Sequence, residues 1–593
     1  MPEFRITPNP QTPYLLHGRF DIGADGADAL KDALKSIPGV KFYTNEWNVK
    51  SWLIPVEMVP EVLKLARKHG FDHRPQESPL RPPEVTLYND LGKFSPYQKP
   101  DIERLLQGVK ECGSWLVAYA MGLGKTPVAI ESVRHLLADL MWSGYEVGGS
   151  TPLTPTFDIL IICPAMAREV WLHGNGPEFK DNGFARWWPA RFSREVSRGR
   201  EYPVEPFSIL SSGEGPRGLQ RWLAHATQAS GDSGNLSPRV GKTLVCSYGI
   251  LRSVLEAVGS TAELKFEPKA IILDEAHYIS NPKSAQSKAV FDAAEMFPDA
   301  ARIALTGTPL TNPDDLQGLH TILDWLWPDR FGTLGAFRWR YMNPEEVFSK
   351  AGDFKGHTYK GLNETHAPEL RARLASCSSR LTKKDVAHLL PPFSAKLLPF
   401  DGDRFGYGCD VAVSLLQQGH DHVRVACYFH ESADKLVKGI TKHLGKSSNV
   451  HVAQVDGRQD PEQRAHTLAQ ARSSQKSITV ATISSTKVAI DLTFQTASVY
   501  AELTHKIEEI LQNLGRGHRA SSQRGHDVFI LADENGDSLA QSLYRKATIL
   551  SDVLSAGTEE QGLIDTLGSL REKGISQAEI DEMLALLKMG DDT

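Results

Sequence analysis

The fold is decided by the stretch Met121-Gly122-Leu123-Gly124-Lys125-Thr126, which follows an apolar run from Trp115 to Ala120. A glycine-rich turn between a buried strand and a helix points backbone N–H groups at phosphates. In this pattern Lys125 reaches the terminal phosphates of a nucleotide, and Thr126 binds a magnesium ion. An isolated glycine motif is more often an ordinary turn. A second signal therefore has to decide between the two interpretations.

That second signal is an acidic pair at the end of another apolar run. Asp274-Glu275-Ala276-His277 follows Ala270 to Leu273. Asp274 is suited to the metal side of a nucleotide site, and Glu275 to a base that orients water. Two such motifs, each at the end of a strand, favour the nucleotide site over the ordinary turn. The sequence therefore predicts an ATP hydrolase with ATP and Mg²⁺ as cofactors.

Composition limits the alternatives. The chain has 593 residues, which is too long for one core, and a formal net charge of -6. A net negative charge argues against a uniformly basic surface but allows a local basic groove. The six cysteines form no CxxC pair, the N-terminus lacks a signal pattern, and no apolar run is long enough to span a bilayer. We expect a cytoplasmic protein, or a nuclear one in a eukaryote, without a membrane segment.

Apolar strands alternate with helical stretches in two successive sets, separated by a proline-rich connector from a small α+β module. Such alternation predicts an α/β fold in which helices wrap parallel sheets, with the chemistry at the carboxyl ends of the strands. The predicted segments are a module at 1–80, a first lobe at 85–327, a helical insertion and linker at 328–390, a second lobe at 391–555 and a helical tail at 556–593.

The motifs of the first lobe resemble a known family. They include Phe94 to Gln98, Ile161 to Pro164 with Trp171, Cys246 to Tyr248, Asp274 to Pro282 and Leu305 to Asn312. The chain resembles superfamily 2 helicases, and within them the Swi/Snf-type double-stranded DNA translocases. It is most similar to the annealing-helicase branch, which carries a HARP-like N-terminal domain. The resemblance implies two tandem RecA-like lobes that form a cleft, and Gln98 on the adenine side of the nucleotide.

The second lobe resembles the same family at its end. Gln512, Arg516 and Arg519 reproduce the arginine-finger motif, and an i, i+3 spacing puts both arginines on one face of a helix. There they would stabilise charge that develops on the γ-phosphate when the lobes close. A helix with this spacing is also compatible with surface salt bridges. The upstream lobe and Gln512 favour the finger.

The resemblance also implies DNA contacts in both lobes. The residues that match the DNA-contacting motifs are Ser247, Tyr248, Asn281, Thr306, Gly307, Thr308, Asp456, Gly457, Thr482 and Ser484. Two departures concern the coupling of hydrolysis to DNA: Ala489 replaces a glycine, and Thr504-His505-Lys506 replaces a tryptophan-asparagine-proline sequence. We expect stimulation by DNA that is weak or that needs a partner.

The first 80 residues resemble a HARP-like domain, which implies recognition of branched DNA. Five residues mix phosphate-binding charge with rings that stack on bases: Lys41, Tyr43, Trp47, Lys50 and Trp52. For any one of them the simpler interpretation is a core ring or a solvated lysine.

Together these features predict an ATP-driven motor on duplex DNA that remodels or re-anneals branched or forked strands. One alternative is a strand-separating DNA or RNA helicase. Another is a nucleotide-gated DNA-binding scaffold without productive turnover. We expect a monomer, with a possible protein partner on the C-terminal helix.

Overall fold

The computed structural model divides into two compact units. The first holds the described residues up to Arg380 except 119–124, and the second holds 119–124 together with those from Leu381 onward. The structure describes residues 2–9, 12–44, 49–73, 85, 87, 91, 94–146, 158–168, 171, 208–210, 242–259, 266–307, 315–349, 353–383, 385–400, 402–445, 448–486, 492–504, 507–518 and 524–533.

The N-terminal module is an antiparallel sheet covered on one face by two helices. Its strands lie in the order β1-β2-β4-β3. Leu30, Leu34, Trp52, Ile54 and Val62 pack between the sheet and the helices. The elements are β1 Arg5–Thr7, β2 Leu15–Arg19, α1 Ala27–Lys35, β3 Lys41–Thr44, β4 Lys50–Pro55 and α2 Val59–Lys68.

The first lobe is built on a seven-stranded sheet in the order β13-β5-β10-β9-β6-β8-β7. The pairs from β5 to β7 are parallel, as predicted. Its central strands are apolar on both faces, which is typical of a sheet with helices on both sides. The strands are β5 Ser114–Tyr119, β6 Asp158–Cys163, β7 Ser208–Leu210, β8 Lys242–Ser247, β9 Pro268–Asp274, β10 Ala301–Leu305 and β13 Ser378–Leu381.

Helices connect these strands. The first of them ends at Gly113 in the left-handed conformation that glycine adopts readily, which lets the chain turn directly into β5. The helices are α3 Gln98–Cys112, α4 Lys125–Glu146, α5 Leu251–Gly259, α6 Ala285–Met296 and α7 Gln317–Leu326.

The segment after the first lobe corrects a prediction. The sequence predicts helices and a linker over 328–390, but the structure also contains an exposed antiparallel hairpin and a strand of the main sheet. The strand β13 lies beside β5, where Trp115 Nε1 donates to Ser379 Oγ at 3.0 Å. The elements are α8 Leu334–Tyr341, β11 Met342–Phe348, β12 Phe354–Leu362 and α9 Ala367–Ala375.

A buried ion cluster holds the N-terminal module on this segment. Glu57 accepts from Arg330 at 3.0 Å and from Arg373 at 3.1 Å, and all three side chains are less than a tenth exposed. Gly39 packs so close to Arg330 that a Cβ atom would lie 2.0 Å from the Arg330 carbonyl oxygen. The module is therefore a fixed part of the first unit.

The second lobe contains a six-stranded sheet in the order β14-β19-β18-β15-β17-β16, with every pair parallel. Its strands are β14 Phe393–Phe400, β15 His422–Cys427, β16 Val450–Val455, β17 Lys476–Thr482, β18 Ala497–Tyr500 and β19 His526–Asp533. Its helices are α10 Arg404–Gln417, α11 His430–Leu444, α12 Pro461–Ser473, α13 Ile483–Thr486 and α14 Ile507–Gly517.

Candidate nucleotide site and DNA-contacting edges

The glycine-rich loop joins β5 to α4. Gly122 and Gly124 have φ angles of 82° and 81°, in a region that residues with a Cβ atom rarely adopt. Met121, which precedes Gly122, and Leu123, which lies between the two glycines, are both buried. Because α4 begins at Lys125, Lys125 and Thr126 lie in its first turn. Phosphate binding here stays a prediction, and the local backbone has the form that it requires.

Asp274 ends β9 at the carboxyl edge of the first sheet, and its side chain is buried. Its Oδ2 accepts from the indole N–H of Trp171 at 2.8 Å, and its Oδ1 accepts from the N–H of Glu275 at 3.0 Å. Burial raises the pKa of Asp274 to about 6, and the charge of Glu275 acts in the same direction. The Trp171 hydrogen bond and the positive charge of Lys125 oppose this rise. Lys125 and Asp274 therefore interact electrostatically.

Glu275 adopts an unusual backbone conformation. Its φ is 52° and its ψ is 56°, which is left-handed and unfavourable for a residue with a side chain. The side chain is buried, and Oε2 lies 3.4 Å from Nδ1 of His277. Strain of this kind is often found at functional sites. It turns the chain sharply after β9 and places Glu275 directly beside Asp274.

Two aromatic residues support Asp274 in ways that the motifs alone do not show. Trp171, which belongs to the motif that begins with Ile161 to Pro164, donates to the carboxylate across 103 residues of chain. Tyr248, predicted to contact DNA, is buried and donates its hydroxyl to the backbone carbonyl of Asp274 at 2.9 Å. Its ring stacks on Tyr278 with centroids 5.1 Å apart. Tyr248 is thus a support of the acidic pair, which corrects its predicted place on a DNA surface.

The side chains present fit a magnesium ion. Mg²⁺ prefers oxygen ligands and is usually bound by one or two carboxylates together with substrate phosphates. Asp274 and Thr126 offer such oxygens. Among the described residues no group of three or more His, Cys, Asp or Glu side chains forms a metal cage.

The other predicted residues of the first lobe are spread along its motifs. Gln98 is buried, and its Oε1 accepts from the N–H of Ser95 at 3.0 Å. Thr306 is fully buried beside β5, whereas Asn281 is exposed and accepts from the N–H of Lys283. Ser247 is buried at the end of β8, Gly307 is half-buried, and Thr308 lies outside the described residues.

The predicted DNA contacts of the second lobe lie at one edge of its sheet. Asp456 follows β16 and Thr482 ends β17, and the carboxyl ends of parallel strands share an edge. Asp456 is buried and bonded to Arg458, which lowers its pKa. Thr482 is buried, while Gly457 and Ser484 are exposed. A buried, paired Asp456 is suited to shaping this turn, and the exposed Gly457 and Ser484 are open to a ligand.

The finger motif is carried by α14, which includes Gln512 and Arg516. Arg516 is half-buried, the side chain of Gln512 is not described, and Arg519 lies outside the described residues. The carbonyl of Arg516 accepts from the N–H of Leu492 at 3.3 Å. Beyond the helix end, Lys383 Nζ donates to the carbonyl of His518 at 2.8 Å. These contacts fix the last turn of α14, where a cation is favourable.

Comparison with protein families assigns the chain. Residues 97–401, more than half of the chain, match the SNF2-related domain. The chain belongs to the SNF2-related family. Residues 409–521 of this SNF2-related chain match the helicase conserved C-terminal domain, which makes it a member of the helicase-like ATPases. Its two sheets are the RecA-like lobes of that class, so the predicted fold is confirmed.

The SNF2-related chain is similar to parts of several known proteins. The DNA repair and recombination protein RAD26 of Saccharomyces cerevisiae is 26% identical over 315 residues, which are 50% of this chain and 26% of that protein. The DNA excision repair protein ERCC-6 of Homo sapiens is 25% identical over 294 residues, 48% of this chain and 16% of that protein. The chain therefore spans about a quarter or less of the length of these relatives.

Two solved structures also resemble the SNF2-related chain. The Sulfolobus solfataricus SWI2/SNF2 ATPase core in complex with dsDNA has a TM-score of 0.34 and 16% identity, over 84% of this chain and 98% of that one. S. cerevisiae Dbp5 bound to RNA and ADP BeF3 has a TM-score of 0.41 and 10% identity, over 80% and 97% of the two chains. No helix among the described residues is long and apolar enough to cross a membrane.

Proposed function

We propose that this chain is an ATP-dependent translocase on double-stranded DNA, of the annealing-helicase branch, that remodels or re-anneals branched or forked strands. One observation carries the proposal: the buried Asp274, which ends β9 and is followed by the buried Glu275, interacts electrostatically with Lys125 at the start of α4. Membership of a family of helicase-like ATPases supports a role for this pair in an ATP site.

The proposed roles follow from the charges of these side chains. Lys125 would compensate the negative charge of the terminal phosphates, and Thr126 and Asp274 would hold Mg²⁺. Bound Mg²⁺ would neutralise charge that develops on the phosphates during transfer. Glu275 would accept a hydrogen bond from the attacking water, and Arg516 would act as the finger that stabilises the transition state.

DNA is proposed to bind through its phosphate backbone. The exposed Gly457 and Ser484 lie at the carboxyl edge of the second sheet, and the exposed Asn281 follows the acidic pair of the first lobe. Contacts to the backbone carry little sequence information, and they weaken at higher salt because the counterions released on binding gain less entropy. We therefore expect DNA binding that depends strongly on salt and little on sequence.

The N-terminal module offers a basic face for branched DNA. Strand register places Arg5 opposite Arg19 in neighbouring strands, and His17 and Tyr43 lie on the same side, away from the helices. Trp52, one of the predicted contacts, faces the helices as a core residue. Of the others, Lys41 pairs with Asp329, Lys50 is exposed at the start of β4, and Trp47 lies outside the described residues. We therefore move the proposed DNA contact to the face that carries Arg5 and Arg19.

The test is ATP hydrolysis by the full chain with duplex, forked and single-stranded DNA and with RNA as activators. Duplex and forked DNA are expected to raise the rate, and Lys125→Ala to abolish it. Lys288→Ala removes an exposed lysine of the same lobe and serves as the control. Hydrolysis by Lys125→Ala at the wild-type rate would refute the site. Activation by RNA alone would refute the substrate.

Measurements of strand unwinding, strand annealing and ATP binding with the same nucleic acids identify the alternatives. A strand-separating helicase would unwind a long duplex in the presence of ATP and would not re-anneal complementary strands. A nucleotide-gated scaffold would bind ATP tightly and release no phosphate with any of the activators. Either result would contradict the proposed translocase function and support the corresponding alternative.

A further inference from the structure

A fully buried arginine lies in the second lobe, on the sheet face opposite the main core. Val423, Val425 and Cys427 of β15 belong to that core, and Arg424 alternates with them. The Arg424 guanidinium donates through Nε to Ser498 Oγ at 3.1 Å and through Nη2 to the Tyr500 hydroxyl at 3.2 Å.

The same guanidinium reaches the helix that carries the finger. Nη1 of Arg424 donates to the backbone carbonyl of Asn513 at 3.3 Å, one turn before Arg516. The Tyr500 hydroxyl donates to Asn513 Oδ1 at 2.6 Å. Asn513 Nδ2 in turn donates to Thr486 Oγ1 in α13. We call Arg424, Ser498, Tyr500, Asn513 and Thr486 the Arg424 network.

Stability does not explain the arginine. No carboxylate among the described residues forms an ion pair with Arg424, and burial lowers its pKa. A buried guanidinium without a counterion costs free energy, and well-packed apolar residues in place of buried charges are often neutral or stabilising. Arg424 instead provides directional hydrogen bonds: three donor groups of its planar guanidinium hold β18 and α14 in one register.

We propose that Arg424, Tyr500 and Asn513 are positioning residues for Arg516, and that the bond from Asn513 to Thr486 links α14 to the segment that contains Thr482 and Ser484. The network thereby joins the finger helix to the proposed DNA edge within one lobe. This inference rests on the proposed roles of Arg516 and of that edge.

The first test is a double-mutant cycle on kcat of the duplex-activated ATPase. Tyr500→Phe removes one hydroxyl and is expected to lower kcat about tenfold with the KM for ATP unchanged, because a misplaced catalytic group loses transition-state stabilisation. Arg516→Ala is expected to lower kcat about a thousandfold. The double variant is expected to match Arg516→Ala, since Tyr500 acts through Arg516.

Two outcomes separate the inference from the proposed function. If Arg516→Ala keeps the wild-type kcat, the finger role fails. If Arg516→Ala lowers kcat as expected but Tyr500→Phe leaves kcat unchanged, the positioning role is overturned. It is also overturned if Tyr500→Phe lowers the kcat of the Arg516→Ala variant by the same factor as that of the wild type. Ser477→Ala removes a buried hydroxyl of the same sheet that bonds to His422 and is the control for general loosening.

The second test addresses the link to DNA. Thr486→Val keeps the shape of the side chain and removes the acceptor for Asn513. The ratio of duplex-activated to unactivated hydrolysis is expected to fall about threefold or more, because the hydrogen bonds of the Thr486 hydroxyl with Asn513 Nδ2 and with the Thr482 carbonyl are lost. An unchanged ratio would overturn the link while leaving the positioning role to the first test.

Discussion

The charge of Asp274 at a given pH depends on opposing effects on its pKa, one of which is the hydrogen bond from the Trp171 indole N–H. Burial and Glu275 raise the pKa of Asp274 to about 6, and Trp171 lowers it. In the free enzyme, kcat/KM for ATP should therefore fall as the pH decreases through about 6, because a protonated Asp274 is a poor metal ligand.

Removing the indole donor should change the pH at which kcat/KM for ATP falls. In Trp171→Phe the pKa of Asp274 is expected to rise further, so the fall of kcat/KM begins at a higher pH. Trp325→Phe is the matched control, because Trp325 is equally buried in the same lobe but donates to the carbonyl of Val290. If kcat/KM falls at the same pH in Trp171→Phe as in the wild type, or if Trp325→Phe shifts this pH equally, the hydrogen bond does not set the pKa of Asp274.

The same raised pKa predicts a pH-dependent stability. A carboxyl group whose folded pKa exceeds its unfolded pKa binds its proton more tightly in the folded state, so its favourable contribution is present at low pH and lost as the pH rises through about 6. Asp274→Asn should therefore melt at a higher temperature than the wild type at pH 8, and the difference should shrink toward pH 4. A variant that is less stable at pH 8 would contradict this account.

The roles of some residues can be predicted from the sequence, whereas the contacts of others cannot. The glycine loop and the acidic pair are predictable because their chemistry fixes residue types at short spacing. The contacts of Trp171 and Tyr248 with Asp274 join three separate motifs, and no local pattern contains such a pairing. The left-handed conformation of Glu275 is equally invisible, because glutamate shows no preference for it.

Among the elements, the helix–strand pattern of both lobes is predictable because their strands are apolar on both faces. The strands β1 and β2 are not, since they carry Arg5, His17 and Arg19 on an open face and look like polar loop sequence. The hairpin of β11 and β12 is not predicted for the same reason, since Met342 is the only buried residue of its two strands and no alternation of buried and exposed residues marks it.

The ion cluster at Glu57 should dominate the docking of the N-terminal module. Glu57→Gln leaves Arg330 and Arg373 buried without an anion, which is expected to lower the free energy of unfolding by about 3–5 kcal/mol. Denaturant unfolding of the full chain measures this. Glu3→Gln removes the exposed partner of Arg5 and should change it by less than about 1 kcal/mol. Equal effects of the two variants would contradict a rigidly docked module.

The open face of the module should bind forks by charge. Reversing Arg5 and Arg19 to glutamate is expected to weaken the affinity for forked DNA about tenfold or more and to reduce its salt dependence, because two phosphate contacts are lost. Reversing Lys31, which is half-buried, and the exposed Lys35 of α1 makes the same change of charge on the helical face. If both double variants bind forks alike, titrated at several salt concentrations, the strand face is not the DNA contact.

At the scale of the whole molecule, the family assignment and the two parallel sheets establish a helicase-like ATPase, and motion along DNA is the step that we propose. Long-range features were predictable only where the resemblance supplied them. Composition alone predicted several domains but no particular function, because a net charge of -6 is compatible with many classes of enzyme.

The most direct test of the central claim is the steady-state ATPase rate of the full chain with and without duplex DNA, for the wild type and Glu275→Gln. Glutamine keeps the size of the side chain but cannot act as the base. We predict that duplex DNA raises the wild-type rate and that Glu275→Gln binds ATP with wild-type affinity but hydrolyses it at least about a hundredfold more slowly. A Glu275→Gln variant as active as the wild type, or a wild type indifferent to duplex DNA, would contradict the account.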